Sequence, residues 1–344
     1  MDNHTQKESN LQSEDAFLAL IDRCFPSSDR LLLGRGDDCA VVSCTDSLCV
    51  SSDLFLQDVH FRREYFSAED FGYKALAVNI SDIAAMGARP TAFALNLMIP
   101  DGVDDAYWIE FFQGMAGLAG EHDLDLVGGD LSRASCLGAA ITIWGERVPG
   151  GRYLQRAQAR PGDVLFIVGE VGLARLGLAQ LEESLALNGN VKIQDYSFGR
   201  QNRHAQAMYP QAIQAHLRPA MHVAEACALG AMDTIRGLMD VSDGLARDLP
   251  RFLGPHLGCR ITLAEQDLHP ELRRFAAENL VDALEWALRG GEDYALLGAV
   301  AAGSWEVLQS AVPQVSRLGD VTPTSGIMLR EERILLHGFD HFGR

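Results

Sequence analysis

Six acidic signatures in this chain share one grammar: Asp37-Asp38, Asp53, Asp82, Asp130, Asp240 with Asp243, and Glu292-Asp293. Most follow an apolar run and stand next to glycine or serine. That pattern places carboxylates at the ends of buried elements, where sites are commonly assembled. One acid so placed is usually a turn former or a helix cap; a whole series raises the expectation that several converge. Converging carboxylates repel one another, so cations must offset them. Hard oxygen ligands suit Mg²⁺ or Ca²⁺ rather than zinc. The spacing does not match a Ca²⁺-binding EF-hand loop, and Mg²⁺ usually shares its coordination with phosphate oxygens. The expected chemistry is therefore metal-bridged binding of a phosphorylated ligand. Backbone N–H groups beside glycines, with arginines such as Arg156 and Arg218, are available for the remaining oxygens.

Other chemistries lack their motifs. The chain has no GxxxxGK[ST] loop, no kinase HRD motif to pair with a DFG, and no G-x-S-x-G elbow. Its seven cysteines include no CxxC pair, and the evenly spaced Cys39, Cys44 and Cys49 lack the tight pairing and fourth ligand of a zinc site. Reduced, mostly buried thiols are expected. With 29 basic against 47 acidic residues, the net charge of −18 argues against a sequence-independent grip on nucleic acid or an anionic membrane. No apolar run approaches the roughly 20 residues of a membrane span. Residues 1–14 are polar and acidic, without the order of a signal peptide, and read as a disordered lead. A cytoplasmic location is expected.

The elements that must position these acids centre on Lys74 to Pro90, KALAVNISDIAAMGARP. Small and apolar residues at nearly every turn predict a buried helix closed by Gly87. Asn79 and Asp82, three apart, project from one face. An unpaired buried carboxylate costs several kcal/mol, so either a basic side chain or a bound cation must meet Asp82. A helix is predicted over Ser13 to Phe25 from Phe17, Leu18, Leu20 and Ile21. Leu31 to Leu33 and the segment GRGDDCAVV read as strand, acidic turn and strand. Leu48 to Val50 reads as a strand ending at Ser51-Ser52-Asp53. Then come a strand over Ala92 to Ile99, a helix over Asp104 to Glu121, a strand over Leu124 to Val127 ending at Gly128-Gly129-Asp130, and its neighbour over Ala139 to Trp144. This alternation predicts an α/β domain over residues 15–148. Residues 149–344 read as a second, α+β domain behind a Gly-, Arg- and Pro-rich link, each domain with its own core. Strands are expected at Val164 to Val168, Arg260 to Leu263, Tyr294 to Val300 and Arg333 to Leu336. Helices are expected near Gly172 to Leu181, over Met221 to Leu229 and after Asp243-Gly244. The polar stretch Glu183 to Tyr209 reads as a mobile loop.

Read in order, GDDCAVV, SSD, DVHF, YKALAVNISDIAAMGARP, GGDLSRA, MDVSDGLARDL, GGEDYALL and GFDHF resemble the thiamine-monophosphate kinase family, from about Phe17 to Phe342. GDD and the central helix are shared with the wider aminoimidazole ribonucleotide synthetase-like superfamily, whereas SDG, GGEDY and GFDHF together are much more specific. The resemblance implies a two-domain fold of that superfamily, α/β plus α+β, whose N-terminal sheet pairs with its counterpart across a homodimer. It implies ATP as co-substrate, several Mg²⁺ ions and thiamine monophosphate as acceptor. By motif match, Asp38, Ser51, Ser52, Asp53, Asp82, Asp130, Asp240 and Asp243 are the expected metal ligands. Gly129, Asp130, Arg156 and Ser242 are expected at ATP, with Phe112 against the nucleotide; His60, Glu292 and Phe339 are expected at thiamine monophosphate. No side-chain nucleophile is implied. The segment GEVGLARLGL departs from the family's small-residue run, and HLRPAMH lacks a second arginine, so phosphate contacts in the second half are open. The rival readings are another ATP-dependent enzyme of the superfamily and a non-catalytic Mg-nucleotide sensor.

Overall fold

The computed structural model of the protein describes residues 14–26, 31–33, 41–44, 47–187 and 208–334. Asp37, Asp38, Cys39 and Phe339, and most of the expected lead and polar loop, lie outside the described residues.

Helix α1 (Glu14–Cys24) buries Phe17, Leu20 and Ile21 but turns Leu18 outward. The hairpin-like pair β1 (Leu31–Leu33) and β2 (Val41–Val42) is antiparallel. A four-stranded sheet follows, in the order β3 (Cys49–Leu56), β6 (Gly138–Arg147), β4 (Ala88–Ile99), β5 (Asp125–Arg133). Only the β4–β5 pair is parallel, because helix α3 (Asp105–Glu121) crosses over between them.

Helix α2 (Ala68–Ala85) starts earlier than the apolar run suggests. Ser67 caps it: the Asp70 amide donates to the Ser67 hydroxyl at 3.1 Å, and the Asp70 carboxylate receives the Ser67 amide in return. The helix ends at Met86, with Gly87 at φ +65° taking the left-handed position. Pro90 then lies inside β4 at a register shift rather than beyond the element. Being apolar on nearly all sides, α2 is buried on nearly all sides, against α3, the four-stranded sheet and elements of the second half. Phe71, Leu76 and Ile80 are fully enclosed, and each contributes roughly 1.5–3 kcal/mol of transfer free energy.

The second sheet has seven strands in the order β13 (Glu332–Ile334), β12 (Gly326–Leu329), β9 (Gly258–Ile261), β11 (Val315–Thr322), β7 (Val164–Val168), β10 (Ala295–Val300), β8 (Ile235–Val241). It is mixed, with β12–β9 parallel and the other pairs antiparallel. Around it stand α4 (Leu173–Leu187), α5 (Pro210–Leu217), α6 (Val223–Gly230), α7 (Leu245–Leu253), α8 (Pro270–Asn279), α9 (Ala283–Arg289) and α10 (Trp305–Ala311). The two-residue period divides β7 between two cores: Val164, Phe166 and Val168 join the core of α2 and α3, while Leu165 and Ile167 face the other. The first core is thus continuous across the two halves, where separate cores are the sequence expectation. Among the described residues no helix is long and apolar enough to cross a membrane.

Candidate active site

Strands β3 and β8 approach α2 from opposite halves of the chain, and all three border a cleft of about 710 Å³. Asp82, near the C-terminal end of α2, is where they meet. The Ser51 hydroxyl donates to the Asp82 carboxylate. The Asp53 amide donates to Asn79 Oδ1 at 3.2 Å, and Asn79 Nδ2 is fixed by the Ala75 carbonyl at 3.0 Å, which ties β3 to the helix. From the other half, Asp240 of β8 accepts from the Ser81 hydroxyl at 3.0 Å. Burial, and then the charge and hydrogen bond of Asp82, push Asp53 up to about 7. Burial and the Asp82 charge do the same to Asp240, also to about 7, against the lowering effect of Ser81. These carboxylates crowd negative charge, and among the described residues no ion pair joins Asp53, Asp82 or Asp240 to a basic side chain, although Arg156 is near enough to lower Asp240.

The neighbouring turn behaves differently. Asp243 lies 2.6 Å from Arg251 and 3.6 Å from Arg247. Asp248, which the sequence reading passed over although it ends the DGLARD run, is fully buried and accepts from the Asp243 amide at 3.0 Å. Burial followed by the Asp243 charge raises it to about 6. Arg156, on the exposed link, is close enough to lower both Asp240 and Asp248.

Across the cleft, Glu292 sits at φ +62° immediately after Gly290-Gly291. Lys74 Nζ lies 3.4 Å from Glu292 Oε2, and His216 Nδ1 lies 3.2 Å from the same oxygen. Burial favours the neutral acid, but Lys74 and His216 outweigh it and hold Glu292 down to about 2. Lys74 itself is fully buried, donates to the His216 carbonyl at 2.6 Å and lies 5.5 Å from the Phe66 ring centre. The signal for Lys74 was in the sequence: a lone cation in an apolar helix needs a partner, and Lys74, Val78 and Asp82 recur at helical spacing. The adjacent Asp293 is structural. Its carboxylate accepts from the Gly172 amide at 2.7 Å and the Ala174 amide at 3.1 Å, capping α4. His60 lines the cleft, stacked on Phe55, with Nδ1 accepting from the Leu56 amide at 3.0 Å.

Several expected site residues are elsewhere. β3 and β5 run on through Ser51-Ser52-Asp53 and Gly128-Gly129-Asp130 instead of ending there, so alternate residues face opposite ways. Ser52 therefore points away from α2, its hydroxyl donating to the Ile141 carbonyl at 3.0 Å. Asp130 pairs with Asn96 on that same outer face and accepts from the Ser132 hydroxyl at 2.6 Å. Gly129 falls opposite Leu95 on the α2 face, at φ +148°; a Cβ there would meet the Leu95 carbonyl oxygen at 1.7 Å, so only glycine fits. Phe112 is fully buried, edge-on to Phe25 and Phe111, as part of the aromatic core. Arg218 is engaged by Glu69 at 3.2 Å and by Asp70 at the start of α2. Ser242 and Asp243 do line the cleft. All described cysteines are free, and Cys44 and Cys136 are exposed rather than buried.

Comparison with known proteins matches residues 36–146 to the family described as AIR synthase related protein, N-terminal domain. The thiamine-monophosphate kinase of Bacillus subtilis (strain 168) is 32% identical over 325 residues, covering 90% of this chain and 93% of that protein. The crystal structure of thiamine-monophosphate kinase from Stenotrophomonas maltophilia K279a superposes with a TM-score of 0.76 at 31% identity, covering 94% of this chain and 98% of that one. AaThiL complexed with AMPPCP and TMP superposes with a TM-score of 0.71 at 26% identity, covering 96% and 97%.

Proposed function

The chain belongs to the thiamine-monophosphate kinase family, and on that premise we propose that it transfers the γ-phosphoryl group of ATP to the phosphate of thiamine monophosphate, giving thiamine diphosphate and ADP. The observation that carries this reading is the meeting of Asp53, Asp82 and Asp240 in one cleft, two of them raised to about 7, opposite a carboxylate held at about 2. Crowded acids without a counter-ion fit hard divalent cations, and Mg²⁺ is the reading. Among the described residues no group of three acids, histidines or cysteines forms a ready-made metal cage. A Mg²⁺ ion bound there would keep waters and complete its shell with phosphate oxygens. Asp53, Asp82, Asp240 and Asp243, with the Ser51 hydroxyl, would hold it; Asp38 joins them by motif alone. Bound there, Mg²⁺ supplies charge neutralisation for the polyphosphate.

The chain's own residues do the rest by positioning. Glu292, kept ionised by Lys74, suits the cationic thiazolium of the acceptor. His60 and, by motif, Phe339 complete that side, with Arg156, Gly129 and Ser242 toward ATP. The acceptor phosphate is largely ionised at neutral pH, so no strong general base is needed, and catalysis rests on alignment and charge. We read the transfer as one in-line displacement without a phosphoenzyme, because among the described cleft residues no serine, cysteine or histidine stands in a recognised nucleophile motif.

The same reading includes a homodimer. The outer face of the four-stranded sheet exposes Val50 and Leu54, at 62% and 54%, and a second copy seated there would bring Ser52 and Asp130 toward a shared site. A cytoplasmic setting agrees with free cysteines.

The test is turnover with ATP and thiamine monophosphate, alongside ADP–ATP exchange without acceptor and stereochemistry at a chiral γ-thiophosphate. Thiamine diphosphate formation, no exchange and inversion are expected. Exchange together with retention would point to a covalent aspartyl phosphate.

A further inference from the structure

Two arginines line the cleft wall built by the second half of the chain: Arg175 in the first turn of α4, and Arg289 at the end of α9. Glycine brings them together. A Cβ on Gly290 would lie 2.7 Å from the Gly172 Cα and 3.4 Å from the Arg175 Cβ, so the two backbones cross at a distance no larger residue permits. A Cβ on Gly291 would lie 2.9 Å from the Ser242 carbonyl oxygen, so this segment also touches the turn bearing Asp243. The arginine pair lines the same cleft as the Asp240–Asp243 turn and Glu292.

Arg175 is oriented in advance. Its guanidinium lies 4.2 Å from the Trp286 ring centre, and Nη1 donates to the Trp286 carbonyl at 3.4 Å. Trp286 is anchored in turn, its indole N–H donating to the Gly172 carbonyl at 3.3 Å. A stacked guanidinium loses little further freedom on binding an anion. Arg289 has Glu285 at 3.8 Å, one turn back on the exposed flank. Burial, and then the like charge of Arg289, lower the pKa of Arg175. Two cations side by side are unfavourable until an anion joins them. The α4 N-terminus does not serve that purpose, since Asp293 already occupies its amides.

We propose that Arg175 and Arg289 form an anion subsite that grips the phosphate monoester of the acceptor, holding it against the carboxylate wall with one guanidinium on each side. The inference rests on the functional reading above for the identity of the acceptor. Planar guanidinium forks match phosphate oxygens geometrically. The pair lies beside Glu292, on the acceptor's side, whereas Arg156 and Gly129 stand outside the lining of the cleft. Arg175 also falls in GEVGLARLGL, the segment where the sequence departs from the family's small-residue run.

The experiment titrates the full chain calorimetrically with thiamine monophosphate, with thiamine and with AMPPCP, each in Mg²⁺. It compares the wild type with Arg175→Met, which keeps an unbranched stem over Trp286, and Arg289→Met. Each substitution is expected to weaken thiamine monophosphate by roughly 10- to 100-fold, the range for a charge-assisted contact. Thiamine and AMPPCP should stay within about twofold of wild type. Arg175→Lys should fall between, retaining charge without the fork. Equal weakening of thiamine, a loss confined to AMPPCP, or no loss at all would each overturn the proposal. Turnover is read separately: a wild type that makes no thiamine diphosphate defeats the functional reading, while the ratio of thiamine monophosphate to thiamine binding decides this one.

Discussion

The two walls of the cleft are built from the same residue type and carry opposite electrostatics. On one, Asp53 and Asp240 are raised to about 7; on the other, Glu292 is held at about 2. The difference is the cation. Glu292 has Lys74 built in, threaded through the buried helix, with His216 beside it. The aspartates have serine hydroxyls and backbone, with only Arg156 on the exposed link near enough to act on Asp240, and no cation in contact with them among the described residues. A fold that meant both walls to be structural would have paired both. The contrast separates a wall whose charge is compensated within the fold from one whose charge is largely uncompensated, which under the proposed function are the acceptor side and the metal side.

Removing the built-in cation should give the largest effect. Lys74→Met leaves Glu292 charged and unpaired in a mostly buried place, and a loss of about 3–5 kcal/mol in urea unfolding is expected. Adding Glu292→Gln should recover more than half of it, because the pair interacts directly. An additive double variant would mean that Lys74 acts through packing alone.

Removing charge from the other wall should do the reverse. Asp82→Asn is expected to lower kcat by roughly 10²- to 10³-fold, the scale for losing one charge-stabilising group. In EDTA it should melt no lower than wild type, since it relieves repulsion on Asp53 and Asp240. A much lower melting temperature in EDTA would make Asp82 a structural ion-pair member and erase the contrast.

The smallest effect is with pH. Asp53 and Asp240 hold protons more tightly folded, at about 7, than at the ordinary 3.8. Their contribution is therefore full below about 4 and is lost as pH rises through 7. Glu292 runs the other way: at about 2 folded against the ordinary 4.5, its contribution is full above 4.5 and is lost as pH falls toward 2. Urea titrations in EDTA should show stability falling from pH 5 to pH 8, with Asp240, the more buried, carrying the larger share. Mg²⁺ should flatten that fall. A flat profile in EDTA would remove the case for an uncompensated wall.

Much of this was legible beforehand, and the misses have common causes. The helix over Asp104 to Glu121 and the strands over Val164 to Val168 and Tyr294 to Val300 follow from local patterns, and each is found within a residue of where the pattern put it. The start of α2 was missed because its first turn is set by the Ser67–Asp70 capping box and not by apolar periodicity. Phe112 has two readings in the sequence, nucleotide contact by motif and core by its spacing with Phe111; its side chain packs inward against Phe111 and against Phe25, just past α1.

The sequence by itself determined which residues could do chemistry: acids after apolar runs, a lone lysine and an aspartate within the apolar run from Lys74 to Pro90, glycines at the turns. Only the tertiary structure decided which of them meet. Strand register placed Asp53 on the α2 face and Ser52 and Asp130 on the other, and the crossing of two halves set Asp240 against Ser81 and Glu292 against Lys74. The reason is physical. Helix and strand periods are local and can be read along the chain, whereas desolvation and Coulomb energy depend on distance through space, which no local pattern contains.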